Sequence, residues 1–183
     1  FFQDELPDNE TGGSPTIFGH ANSMLGAGVG AAAWFDTPYF GTSPPQADSF
    51  TALGGTPIFY DTSGNPVNVL RNQPRFTSTN RGNTTYFGGD ILEDGDSFPN
   101  FSGTSAAAPE AAALAALLLQ LNPTLTPTDV FTALANSAID MNTSGYDFLT
   151  GAGLINAVNL FGGASQFCDP YEPQLSTTGY IVG

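Results

Sequence analysis

Apolar positions along this chain fall into a few blocks, and their spacing changes from the first half to the second. Residues 24–35, MLGAGVGAAAWF, form an apolar run interrupted only by glycine. Such a run reads as a buried strand whose small residues allow close backbone approach. The segment 57–61, the polar turn Thr62-Ser63-Gly64-Asn65 and residues 67–70 predict a hairpin. Between these lie turn-rich residues, 36–56, with Thr37-Pro38, Ser43-Pro44-Pro45 and Gly54-Gly55. Residues 71–102 show no helical periodicity and hold an acidic loop at 90–96. Helical patterns come last, over about 105–121, 127–138 and 156–161. Pro123 and Pro127 punctuate the first two, and Thr126 suits the N-cap of the second. The first helix is apolar nearly all round, which predicts burial on every side. Strands followed by helices then give an α/β layered fold.

A chain of 183 residues suits one domain, taken as 1–161, with 162–183 as a tail or linker. Seventeen acidic residues stand against Arg71, Arg75 and Arg81, with no lysine and a net charge of −14. That charge repels phosphate backbones and anionic lipid, so nucleic-acid and membrane-surface roles are excluded as expectations. The same balance suits a secreted or cell-surface protein. No apolar run reads as both long and polar-free enough to span a bilayer; 106–121 comes closest, but it contains Glu110 and Gln120. Phe1-Phe2-Gln3-Asp4 lacks the basic start of a signal peptide. Cys168 is the lone cysteine, so no internal disulfide is available. Asn-x-Ser/Thr sequons occur at Asn9, Asn83, Asn100 and Asn142.

The chemically informative stretch runs from Phe101 to Gln120, FSGTSAAAPEAAALAALLLQ. Gly103-Thr104-Ser105 is a small-residue turn at the start of an apolar helix, where unpaired N–H groups and the positive dipole end gather. A hydroxyl placed there can act as a nucleophile, and the N–H groups can hold an oxyanion. Gly103 lets backbone approach a substrate, the alanines at 106–108 keep the first turn narrow, and Pro109 is expected near the first turn. Taken alone, Gly-Thr-Ser is better read as an ordinary N-cap.

The longer string, Gly-Thr-Ser-Ala-x-x-Pro running into an Ala/Leu helix, resembles the serine motif of the subtilisin-like serine peptidases, the subtilases. Residues 121–134, LNPTLTPTDVFTAL, look like the helix that follows in that family, and Gly151-Ala152-Gly153-Leu154-Ile155-Asn156-Ala157 resembles its closing segment. Upstream, Pro15-Thr16-Ile17-Phe18-Gly19-His20-Ala21-Asn22 and Gly28-Val29-Gly30-Ala31 are similar to the strand leading to the substrate side of large bacterial subtilases. The resemblance covers about 15–161. It implies the C-terminal part of a three-layer α/β/α sandwich with a mostly parallel sheet, Ser105 as nucleophile, Gly103 and Thr104 in the nucleophile turn, and a polypeptide substrate. No cofactor is implied for the chemistry.

The resemblance also implies an Asp and a His in an earlier half that this sequence does not contain. His20 is the single histidine, but no Gly-Thr follows it, and it reads as structural. Asn9 and Asn22 lack the neighbours expected of an oxyanion-binding Asn. The family's histidine after the motif proline is replaced by Glu110, which on an apolar helix needs a partner or a raised pKa. Asp90, Glu93, Asp94 and Asp96 offer hard oxygen ligands for Ca²⁺, with Asp90, Asp94 and Asp96 the candidate set, against the preferred reading of a solvated acidic loop. Three functions remain open: an endopeptidase segment completed by a partner that supplies Asp and His, a non-catalytic module kept for assembly in a surface layer or filament, and an acid-acting sedolisin-type peptidase, whose calcium-binding Asp the segment 145–151 weakly resembles. Part of a sheet leaves an open edge and apolar surface, so a partner segment or self-association is expected to cover it.

Overall fold

The computed structural model describes residues 13–162. Cys168, Asn9 and the expected tail beyond Gly162 lie outside them. At the centre is a parallel pair of strands, β1 (Val29–Ala33) and β4 (Phe76–Asn80), in the register Val29 opposite Phe76 through Ala33 opposite Asn80. On its other side β4 is bridged in parallel to Leu154, with Thr77 N–H donating to Gly153 O and Ile155 N–H to Thr77 O. β4 is thus the middle member of the layer.

β1 lies inside the predicted apolar run and is narrower than it. β4 falls within 71–102, where the sequence shows no helical periodicity and signals no strand. Its sequence, Phe-Thr-Ser-Thr-Asn, carries only one large apolar residue, yet Phe76, Thr77, Ser78 and Asn80 are all buried. Its polar side chains survive burial because they are hydrogen-bonded; Thr77 Oγ1, for instance, donates to Thr150 O at 3.0 Å.

The predicted hairpin is present as β2 (Ile58–Tyr60) and β3 (Pro66–Val69), antiparallel and peripheral. Asp61 closes its turn by accepting the N–H groups of Ser63 and Asn65 at 2.8 Å each. A second small ribbon joins β5 (Gly82–Asn83) to β6 (Asn100–Phe101).

Three helices follow: α1 (Thr104–Leu121), α2 (Pro127–Ser137) and α3 (Ala157–Leu160). Thr126 caps α2 as expected, in a reciprocal box with Asp129: the Thr126 hydroxyl accepts Asp129 N–H, and the Asp129 carboxylate accepts Thr126 N–H at 2.9 Å. α1 lies across β1 and β4, and α2 packs on α1 and α3. The main core gathers Phe76, Ala111, Val130, Leu134 and Ile155.

Three expectations about α1 need correction. It is not buried all round: Ala106, Ala107 and Ala111 are buried against the strands, whereas Leu117, Leu119 and Leu121 are 44%, 38% and 59% exposed. Only one side of the helix meets a layer among the described residues. Pro109 is not in the first turn but inside the helix, where its missing N–H leaves the Ser105 carbonyl without its usual i+4 donor. By length and composition α1 is also long and apolar enough to cross a membrane, with 18 residues at a mean hydropathy of 1.3. Here it is a sheet-packed helix.

Candidate active site

Ser105 stands in the first turn of α1, exposed to solvent, and its hydroxyl has no hydrogen-bond partner among the described residues. The helix begins without a side-chain cap. The N–H groups of Ala106 and Ala107 both turn back to Gly103 O, at 2.9 and 3.2 Å. Those of Thr104 and Ser105 have no acceptor among the described residues, and no acidic side chain occupies the first turn to neutralise the dipole. The nucleophile turn therefore offers a free hydroxyl beside two free N–H donors, the pairing that acyl transfer requires.

Gly103 makes this turn possible for a conformational reason. Its φ of 112° and ψ of 168° lie in a region open essentially to glycine alone. A Cβ at this position would meet nothing nearer than 3.8 Å, so crowding does not dictate the glycine, and the space beside it is open.

Behind the turn lies a polar network that the sequence reading missed. Gly103 N–H donates to Asn80 Oδ1 at 3.1 Å, and Asn80 Nδ2 donates to Asp48 Oδ2 at 2.7 Å. Arg81 pairs with the other oxygen of Asp48 at 2.6 Å. Asn80 is fully buried at the C-terminal end of β4. Arg81, just beyond, holds a left-handed φ of 69°, uncommon for a residue with a side chain. Its carbonyl accepts from Trp34 Nε1 and Asn100 Nδ2, which fixes that conformation. Asp48 sits in a turn-rich segment with no motif around it, and β4 shows no apolar/polar alternation, so no sequence signal marks Asn80.

Glu110 reaches from the second turn of α1 to Thr79, whose hydroxyl donates to Glu110 Oε2. Burial raises its pKa above the ordinary carboxyl value, and the Thr79 bond opposes that shift in part. Both expected remedies for a Glu on this helix are thus present. The carboxyl borders a groove of about 440 Å³ lined by Ser78, Thr79, Leu114, Leu117, Leu154 and Val158.

His20 and Asn22 lie at the other end of the strands. Their short 3-10 turn, Gly19–Asn22, precedes a segment held by Gln73 and Arg75, through bonds to Ser23 O and Gly26 O. Those side chains precede β4, whereas the Ser105 turn attaches after it, about 13 Å along the strand. His20 is exposed, and Asn22 donates to Thr56 O. Neither joins the nucleophile turn.

The structure brings the carboxylate oxygens of Asp90, Asp94 and Asp96 within 4.8 Å of one another, close enough to share an ion; Glu93 is not among them. Much of their capacity is spent locally. Asp94 accepts from Asn100 Nδ2 at 2.7 Å, and Asp96 accepts from Asn83 Nδ2 at 2.6 Å and from Phe98 N–H at 2.7 Å. The sequon asparagine Asn100 is buried and its amide is used in these bonds, so it is closed to a glycan in this fold, while Asn83 and Asn142 are exposed. Asp147, the acidic residue of the sedolisin-like segment, is tied to its own turn. Burial works to raise its pKa, but bonds from the N–H groups of Thr150 and Leu149 and from the Thr150 hydroxyl hold it below the ordinary value.

Comparisons with known proteins fit this geometry. Subtilisin-like protease SBT2.4 of Arabidopsis thaliana is 29% identical over 151 residues, covering 79% of this chain and 16% of the relative. Fervidolysin of Fervidobacterium pennivorans is 39% identical over 62 residues, covering 34% of this chain and 9% of the relative. The crystal structure of fervidolysin, a keratinolytic enzyme related to subtilisin, superposes with a TM-score of 0.55 at 21% identity, over 79% of this chain and 20% of that one. At that identity the superposition establishes the subtilisin-like α/β fold. The chain thus spans about a fifth or less of the length of these proteins. The model of the subtilase family matches residues 50–153, more than half of the sequence and including the whole nucleophile turn, and the chain belongs to that family.

Proposed function

We propose that this chain is the nucleophile-bearing part of a serine endopeptidase catalytic domain, with Ser105 attacking the peptide carbonyl and the N–H groups at the start of α1 helping to hold the oxyanion. The observation that carries this reading is the exposed, unpartnered Ser105 hydroxyl beside two free N–H donors at an uncapped helix start. Subtilase chemistry needs no cofactor. Calcium held by Asp90, Asp94 and Asp96 would order the loop leading into the nucleophile turn without taking part in bond cleavage.

Among the described residues no His or Asp stands beside Ser105, so the base and its orienting carboxylate come from a second segment or polypeptide. That segment also covers the exposed side of α1 and the open sheet edge. The substrate is a polypeptide, bound as an extended strand along the cleft edge. Without the base the isolated chain is inactive, by several orders of magnitude in rate. The acidic, lysine-free composition supports a secreted or cell-surface setting.

Fluorophosphonate labelling of the native material, followed by peptide mass mapping, tests the reading. Label on Ser105, lost in Ser105→Ala, is the expected result. Folded native material that takes no label there would overturn it, in favour of a non-catalytic module of the same fold.

A further inference from the structure

Nothing in the sequence motif requires a buried asparagine behind the nucleophile turn, yet the fold places one there with every side-chain atom engaged. Asn80 is fully buried, its Oδ1 accepts Gly103 N–H at 3.1 Å, and its Nδ2 donates to Asp48 Oδ2 at 2.7 Å. Asp48 is fixed in turn by Arg81 at 2.6 Å, its side chain 9% exposed. The chain of contacts therefore runs from a partly buried ion pair, through one amide, to the backbone N–H two residues before Ser105.

That N–H sits at a sensitive point. Gly103 has no side chain to restrict it, adopts a conformation few residues can enter, and is the N-cap of a helix without a side-chain cap. Left to itself, such a glycine would sample many orientations, and Ser105 would swing with it. The helix holds its carbonyl through Ala106 and Ala107 N–H, and the directed bond from its own N–H to the buried Asn80 carbonyl fixes the other side of the residue. The cost of burying Asp48 and Asn80 is met by their mutual bonds and by Arg81. Arg81 itself is held in a left-handed conformation by bonds from Trp34 and Asn100 to its carbonyl. The scaffold thus maintains an unfavourable backbone at the point that orients the network.

We infer that Asn80 is a positioning residue for the nucleophile: its side-chain carbonyl fixes Gly103, and through it the direction of the Ser105 hydroxyl, with Asp48 and Arg81 setting the amide's orientation. This inference rests on the Ser105 reading above. It adds to that reading three residues that never touch the substrate.

The test uses the native, full-length protein that contains this chain, with Ser105 labelling rate, kcat and KM on a polypeptide substrate, and calorimetric Tm as readouts. Asn80→Ala should slow labelling and lower kcat about tenfold or more, with KM changed less than about twofold, because the nucleophile is misdirected while the substrate still binds. Asn80→Asp alone should be at least as slow, since it sets two carboxylates against each other. The exchanged pair Asn80→Asp with Asp48→Asn restores a donor facing an acceptor and keeps an oxygen for Gly103 and one for Arg81. It should recover labelling and kcat to within about threefold of wild type. Folded Asn80→Ala that labels at the wild-type rate would overturn the inference and leave the Ser105 reading intact. Wild-type protein that never labels overturns both. Should Asn80→Ala not fold, the exchanged pair decides alone: native Tm with wild-type labelling supports the inference, and native Tm with slow labelling overturns it.

Discussion

The two ends of α1 differ sharply. Its first two turns are tied into the fold: Ala106, Ala107 and Ala111 are buried on the strands, Gly103 is held by Asn80, and Glu110 is bonded by Thr79. Over its last turn Leu117, Leu119 and Leu121 face solvent. Among the described residues one end is covered, or finished, and the other is not. The finished end presents Ser105, the proposed nucleophile, and it is held by the strands Val29–Ala33 and Phe76–Asn80 together with Asp48 and Arg81. The unfinished end is a packing surface, and packing surfaces need a partner. The turn that carries Ser105 is therefore held in place although, among the described residues, one side of its helix is left uncovered.

The largest expected effect breaks the unfinished end. The 183-residue chain should associate in solution through Leu117, Leu121 and the neighbouring Val158, which is 60% exposed. Each buried leucine contributes about 1.5–3 kcal/mol, so Leu117→Glu combined with Leu121→Glu should weaken association about a hundredfold or more. Sedimentation velocity reads this directly. A wild-type chain that is already a monodisperse monomer contradicts it.

The finished end is tested by a smaller change. Gly103→Ala adds one methyl where nothing lies within 3.8 Å, so its effect is conformational alone. Forcing a side chain into φ 112°, ψ 168° costs about 1–3 kcal/mol, or roughly 3–8 °C in Tm for a protein of this size. Gly89→Ala is the control, since that glycine has an ordinary φ and open space around it, and it should change Tm little. If both variants melt alike, the special role of the Gly103 backbone is wrong.

The same contrast decides what the sequence made legible. The helices, the Thr126 cap, the hairpin and the nucleophile turn all rest on local signals, such as periodicity, turn residues and a contiguous motif. The strand β4 was hidden because its core positions are polar, and Thr77 and Asn80 become intelligible only once Thr150, Asp48 and Gly103 are seen beside them. Asp48 is 32 residues from Asn80 and 55 from Gly103, a separation that no periodicity reports. The burial of α1 is over-read for the opposite reason: an all-round apolar pattern states what a helix would bury in company, and the described residues supply company for one side.

Glu110 carries the smallest effect and joins the two ends, lying between the nucleophile turn and the bare leucines. Its folded pKa is raised by burial above the ordinary carboxyl value of 4.5. The folded state therefore holds this proton more tightly than the unfolded state, and stability falls as pH rises from 4.5 through the raised pKa. Below 4.5 both states are protonated and the group is neutral to stability. Replacing it with Gln keeps an oxygen for the Thr79 hydroxyl and removes the charge, so Glu110→Gln should raise Tm at pH 7 by about 2 °C and leave it unchanged near pH 4. Paired melts at the two pH values measure this. If the segment that completes the domain brings a cation to the groove beside Glu110, the sign reverses in the completed protein: the carboxylate then has a partner, and Glu110→Gln destabilises at pH 7. Melting the variant alone and in the completed assembly thus tells whether this acidic side chain belongs to the finished end of α1 or to the surface still waiting for its cover.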